Sequence, residues 1–248
     1  MAAPRLGIII ADEKAFRAGR PDDPVDLVVL RSTLINPPRA AGAKKLGAQL
    51  RELHPEAALI PYIWHLVSHG PSDGLREHGT RTLPGEPAAY GLLQDNAEVR
   101  QAWEITRQCA LALEAKQLVL RTPASFTPSS LYRQRLREFA AERVVEGFEL
   151  VWEAEGLWEP KTTLPVAREL GLTTIIPAVD GTGRPFKGSL ERRWLRVDGA
   201  GATTRMRPAL AEALLLAIDE RDEPATILFG GPRGYANLRA FAKTVEEF

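Results

Sequence analysis

QLVLRTPASFTPSSLYRQRLREFAAERVVEGFELVWE, residues 117–153, decides the fold. Its first six residues, Gln117–Thr122, hold three consecutive apolar positions, Leu118–Leu120, as a strand buried on both faces requires. A turn rich in proline and serine follows, and Ser129 or Ser130 can cap a helix that runs through Leu136 and Phe139 and stops near Gly147. Phe148–Glu153 (FELVWE) is a second apolar run. Strand, helix, strand in this order is the unit of a parallel sheet.

The same alternation extends in both directions. Leu6–Ala11, Asp26–Arg31 and Ala58–Trp64 precede the unit, and Leu172–Pro177, Trp194–Asp198 and Ala225–Gly230 follow it. Eight parallel strands with intervening helices in roughly 250 residues predict a (β/α)8 TIM-like barrel, an α/β fold, as a single domain over 1–248. Helical patterns fill Ala40–Leu53, Leu92–Leu113, Lys161–Leu170 (closed by Gly171), Leu210–Ile218 (opened by Pro208) and Asn237–Glu247 (preceded by Gly234). The first crossover, Asp12–Val25, is short and holds Pro21 and Pro24, so its helix is expected to be reduced. Residues 65–91, rich in Gly and Pro, read as a long structureless loop on the ligand side of the barrel.

Composition narrows the function classes. Of the 248 residues, 44% are hydrophobic, enough for a substantial core, and acids balance bases at zero net charge. That balance argues against a dedicated nucleic-acid binder. The single cysteine, Cys109, forbids an internal disulfide and fits a reducing, cytoplasmic compartment. Neither a signal pattern nor a membrane-length apolar run is present, so no membrane partner is expected. The oligomeric state is not legible.

In such barrels chemistry sits at the C-terminal ends of the strands. Charged residues at or just past those ends are Arg31, Arg121, Glu153, Asp180, Arg196 and Asp198. Glu153 is the candidate general acid or base, with Asp198 as its partner and Arg196 to stabilise developing charge. Arg31, Arg121 and Asp180 are candidate ligand contacts. Two glycine turns add an anion site: Gly199 and Gly201 after strand seven, and Gly230, Gly231 and Arg233 after strand eight, at the start of the last helix. Glycine lets backbone N–H groups approach phosphate oxygens, and a helix N-terminus favours the anion; Arg205 is a further candidate cation. Glycines are also common in tight turns for conformational reasons alone, and barrel mouths carry charge for solubility.

His65 and His69 lie four apart, with Asp73 and His78 after them. The spacing lacks the glutamate of a metalloprotease helix, so no metal is assigned. No dinucleotide, P-loop or nucleophile-elbow motif occurs, and no cofactor is expected. Cys109 reads as a buried filler. Trp152, Trp158 and Trp194 read as packing rather than a base-stacking platform.

Several segments together resemble the YecE-like family, domain of unknown function 72 (DUF72), a TIM-barrel family. Arg31-Ser32-Thr33-Leu34-Ile35, followed by Pro37 and Pro38, is similar to the family's Asn-Ser-Thr-Phe-Tyr. Leu120–Phe126 resembles its Gln-Leu-Pro-Pro-Ser-Phe, and Trp152-Glu153-Ala154-Glu155 before Leu157-Trp158 resembles its Glu-Phe-Arg with a later Trp. Leu195–Gly199 is similar to Val-Arg-Leu-His-Gly, and Leu228–Gly231 with Gly234-Tyr235-Ala236 to Tyr-Phe-Asn-Asn and Gly-Tyr-Ala. The resemblance implies a diverged barrel. Arg196 and Glu153 carry over, whereas polar family positions are replaced by Arg31, Arg121, Ala154 or Glu155, Asp198 and the glycine pair.

Three readings follow. A small anionic or phosphorylated molecule binds at the strand ends, with or without turnover. Or the barrel is catalytically degenerate and serves as a binding or scaffold protein. Or it processes nucleic acid through Arg31, Arg121 and Arg196, against which the neutral charge counts.

Overall fold

In the computed structural model the strands are β1 (Arg5–Ile10), β2 (Leu27–Leu30), β3 (Ala58–Pro61), β4 (Gln117–Thr122), β5 (Glu149–Ala154), β6 (Thr173–Pro177), β7 (Arg193–Val197) and β8 (Thr226–Phe229). The helices are α1 (Glu13–Arg17), α2 (Ala40–Leu53), α3 (His65–Ser68), α4 (Ala97–Ala112), α5 (Ser130–Val145), α6 (Pro160–Glu169), α7 (Pro208–Asp219) and α8 (Gly234–Glu247). The structure describes residues 3–81, 83–179, 184–185, 189–198, 205–219 and 225–247. Asp180, Gly199 and Gly201 lie outside the described residues.

The strand order is β3-β2-β1-β8-β7-β6-β5-β4. A parallel bridge between Tyr62 and Val119, with Ile63 N donating to Val119 O at 2.9 Å, joins the continuation of β3 to β4, the two ends of that order. The connectivity is that of a (β/α)8 TIM-like barrel. Each expected strand is present, displaced by at most a few residues. The consecutive apolar runs are buried along their length, as in Leu27–Leu30 and Thr226–Phe229.

By contacts the chain divides into two compact units. The first comprises residues 1–29, 50–58 and 175–248. Its core includes Ile8, Leu27, Leu195, Ile227, Leu228, Leu238 and the Phe229–Phe241 ring pair at 5.7 Å. Parallel register pairs Leu6 with Ile227 and Leu195 with Ile227. The second comprises residues 30–49 and 59–174. There β4 and β5 pair along six residues, Gln117–Thr122 with Glu149–Ala154. Trp152 is fully buried and donates from Nε1 to Thr122 Oγ1 at 3.0 Å, so the indole is covered and its N–H satisfied.

Local signals placed the helix ends. Ser129 caps α5, accepting from Tyr132 N at 3.3 Å, and Gly171 after α6 takes φ +66°. Between β1 and β2 the helix is reduced to five residues, none of them buried.

Two expectations need correction. The helix expected from Leu92 begins at Ala97: Asn96 accepts from Val99 N at 2.9 Å, and Leu92 and Leu93 have φ of 53° and 51°, outside any right-handed helix. Residues 65–91 are not structureless. They hold α3 and 3-10 turns at Pro71–Asp73, Arg76–His78 and Pro87–Ala89. The chain returns along α3 through Gly91 N to Leu66 O at 2.8 Å and Leu93 N to Val67 O at 3.0 Å. Gly91 has φ +85°, and a Cβ there would lie 2.0 Å from His69 O, so only glycine fits. The composition signalled turns; backbone pairing to α3, invisible to composition, ordered them. Among the described residues no helix is long and apolar enough to cross a membrane.

Candidate functional site

In the second unit, the ends of β3, β4 and β5 carry a polar cluster. The apolar run of β5 ends on Glu153, which is only 4% exposed. The Tyr62 hydroxyl, just past β3, donates to Glu153 Oε2 at 2.7 Å. Tyr62 is itself 1% exposed, so the bond is made in a dry environment where an unmade partner is costly. Arg121 turns to Glu155, with Nε and Nη2 both on Oε1. Its charge is thereby matched within the protein. Arg31 opens the 3-10 turn after β2 and is half-buried.

His69 lies near this cluster. Its Nδ1 is 2.8 Å from Ser68 Oγ, and the ring is 3% exposed. Burial drives its pKa down to about 3, with the charges of Arg121 and His65 adding to the effect. His65 Nδ1 faces Leu34 O at 2.9 Å, and burial lowers its pKa as well. The two histidines are therefore neutral and separately anchored by protein groups.

In the first unit, Arg196 on β7 pairs with Asp198, Nε to Oδ2 at 2.5 Å. Gly230 lies against the same carboxylate: a Cβ at Gly230 would sit 2.6 Å from Asp198 Oδ1. Gly231 has φ +73° with open space around it, so its glycine serves the turn. Gly234 opens α8, and its N–H closes the turn on Gly231 O at 3.0 Å. A Cβ at Gly234 would lie 2.8 Å from Ile8 Cδ1, so its absence lets the helix start close to β1. Arg233, between them, is half-buried, and its Nε has no hydrogen-bond partner among the described residues.

Beside this turn is a cavity of about 380 Å³. Its wall includes Ile8, Ile9 and Ala11 from the end of β1, Asp12, Lys14, Ala15 and Ala18 around α1, and Gly231, Pro232, Gly234, Tyr235, Ala236 and Arg239. Asp12 is engaged as the cap of α1, accepting from Ala15 N at 2.8 Å. Arg239 is engaged by Asp23, Nε to Oδ1 at 2.5 Å. The five-residue α1, none of whose residues is buried, borders the cavity through Lys14 and Ala15.

Glu153 is thus bonded to Tyr62, Asp198 to Arg196 and Arg121 to Glu155; Gly231 reaches the cavity wall and Gly230 and Arg233 flank it. Tyr62, Glu155 and Lys14 were missed from sequence. Tyr62 follows the apolar β3 run without a break, so its hydroxyl carried no signal other than its position past a strand end. Trp158, 5% exposed, packs on Trp152 with centroids 4.8 Å apart, and Trp194 is 6% exposed, as the packing reading requires.

No protein-family model matches the chain, and no curated protein does. Solved structures do. A DUF72 family protein from Enterococcus faecalis superposes with a TM-score of 0.59 over 99% of this chain and 94% of its own, at 9% identity. A DUF72 family protein from Thermotoga maritima gives 0.51 over 90% and 85%, at 18% identity. The catalytic domain of a chitinase from Pyrococcus furiosus gives 0.55 over 99% and 96%, at 12% identity. These likenesses establish the barrel fold, and the DUF72 structures among them agree with the resemblance read from sequence. Barrels hosting such different proteins select no reaction.

Proposed function

We propose that this protein binds a small anionic, phosphorylated ligand in the cavity between α1 and the start of α8. The observation that carries the reading is the cavity of about 380 Å³ whose wall combines Gly231, Gly234 and the first turn of α8 with the Lys14 side chain. The Gly234 N–H is spent on Gly231 O, and the α8 dipole adds positive potential at the helix start that follows. At Gly231 no side chain stands between the open space beside it and the backbone. Lys14 supplies a point charge in the wall, and Arg233, half-buried beside the turn, a second cation. The apolar remainder, from Ile8, Ile9, Ala15 and Pro232, suits the carbon portion of the ligand.

Calorimetric titration with glycerol 3-phosphate, with glycerol as control, tests this. The phosphate ester is expected to bind and glycerol not to. Arg233→Ala and Lys14→Ala are each expected to weaken binding about fivefold to thirtyfold, the span of one charge-assisted bond. Equal affinity in both variants overturns the reading.

A second reading, acid–base turnover at the end of β5, is favoured by the buried Glu153 carboxylate with a hydroxyl partner. Turnover of any substrate that survives Glu153→Gln unchanged removes it.

A further inference from the structure

A second cavity, of about 210 Å³, lies within residues 65–90. Its wall holds three nitrogen-bearing side chains, His65, Arg76 and Arg81, with Leu66, Leu83 and Pro87 supplying apolar surface. Each guanidinium lies over an aromatic ring: Arg76 over Tyr90 at 5.4 Å and Arg81 over Trp64 at 5.7 Å from the centroids. Such cation–π contacts hold each guanidinium in place without consuming its N–H donors. Arg76 spends one donor on Pro87 O at 2.6 Å, yet its Nε is buried with no partner among the described residues. Buried donors are rarely left so. Neither arginine pairs with a carboxylate among the described residues, and no Asp or Glu is in the described wall; Glu98 stands outside it, beside Gly85.

His65 adds the opposite polarity. Its Nδ1 faces the Leu34 carbonyl, which can only accept, so Nδ1 carries the proton of the neutral ring. The lone pair is then on Nε2, an acceptor on a residue of the cavity wall. Two planar forks, one acceptor and apolar walls of limited volume describe a complementary molecule: a planar oxyanion with a hydroxyl donor on a short carbon skeleton.

We infer that this cavity is a binding site for a small 2-hydroxy carboxylate, its carboxylate taken by Arg76 and Arg81 and its hydroxyl donating to His65 Nε2. The site is built wholly within the segment after β3 and is independent of the phosphate reading at α8.

Calorimetric titration of the full chain at neutral pH with glycolate, acetate and inorganic phosphate tests it. Glycolate is expected to bind best, with acetate about fivefold to tenfold weaker for want of the hydroxyl bond. Arg81→Gln is expected to weaken glycolate about tenfold or more, and His65→Phe to bring glycolate to the level of acetate. Arg233→Ala is expected to leave glycolate unchanged, which separates this site from that at α8. Because His65 and Arg76 also hold the segment together, Arg81→Gln carries the test, with the melting temperature as its folding check and Arg81→Lys as the charge-conserving companion. Absence of glycolate binding to the native chain at about 50 mM, a concentration that reveals even millimolar affinities, overturns the inference. So does phosphate binding tighter than glycolate, or a folded Arg81→Gln variant with native glycolate affinity.

Discussion

The Tyr62 hydroxyl and the Glu153 carboxylate, 91 residues apart, meet at 2.7 Å with both side chains almost wholly buried. The bond places a hydroxyl donor on the one strand-end acid that sequence singles out as a candidate acid or base. Removing the donor takes a hydrogen bond from a buried carboxylate.

Tyr62→Phe is therefore expected to destabilise the fold by about 1–3 kcal/mol. In a chain of this size that lowers the melting temperature by roughly 2–4 °C per kcal/mol. Thermal denaturation followed by circular dichroism reads it, and an unchanged melting temperature contradicts the energetic weight given to this pair.

Stability is expected to fall as the medium is acidified. His69 in the folded state holds its pKa near about 3, whereas the unfolded chain titrates near the ordinary value of 6.5. Between those values the unfolded state binds more protons, so the contribution is present above pH 6.5 and is lost progressively toward about 3. The slope from one such group is at most about 1.4 kcal/mol per pH unit. Urea midpoints measured from neutral to acid pH check it, and the slope should shrink in His69→Gln.

Gly231→Ala and Gly234→Ala should differ in kind. The first meets open space but must adopt φ +73°, costing about 1–2 kcal/mol. The second drives a methyl to within 2.8 Å of Ile8 Cδ1 and 3.2 Å of Phe229 O, costing about 1–3 kcal/mol and displacing the start of α8. Both are read from denaturation curves; only Gly234→Ala should also alter the tryptic cleavage pattern around residues 231–236.

Cys109 should be inert in the native protein. Burial pushes its thiol up to about 12, and it is 1% exposed. A thiol-reactive chromophore should titrate it only after denaturant is added. Prompt labelling of the folded chain would show that α4 opens far more readily than its packing implies.

Local chemistry in the sequence determined the eight strand runs, the alternation that makes them parallel, the serine cap of α5, the glycine stop of α6 and the shortened first helix. Each depends on neighbours within a few residues, and burial periodicity reports them directly. The barrel fold followed from their order. Tertiary structure alone decided where the polar groups found partners. The Glu155 partner of Arg121 and the Glu153 partner of Tyr62 were supplied only when the strands brought them together. The ordered turns of residues 65–91 likewise depend on backbone pairing with α3. Such pairings join residues tens of positions apart. They are set by strand register and side-chain direction, which a one-residue shift reverses and which no local pattern encodes.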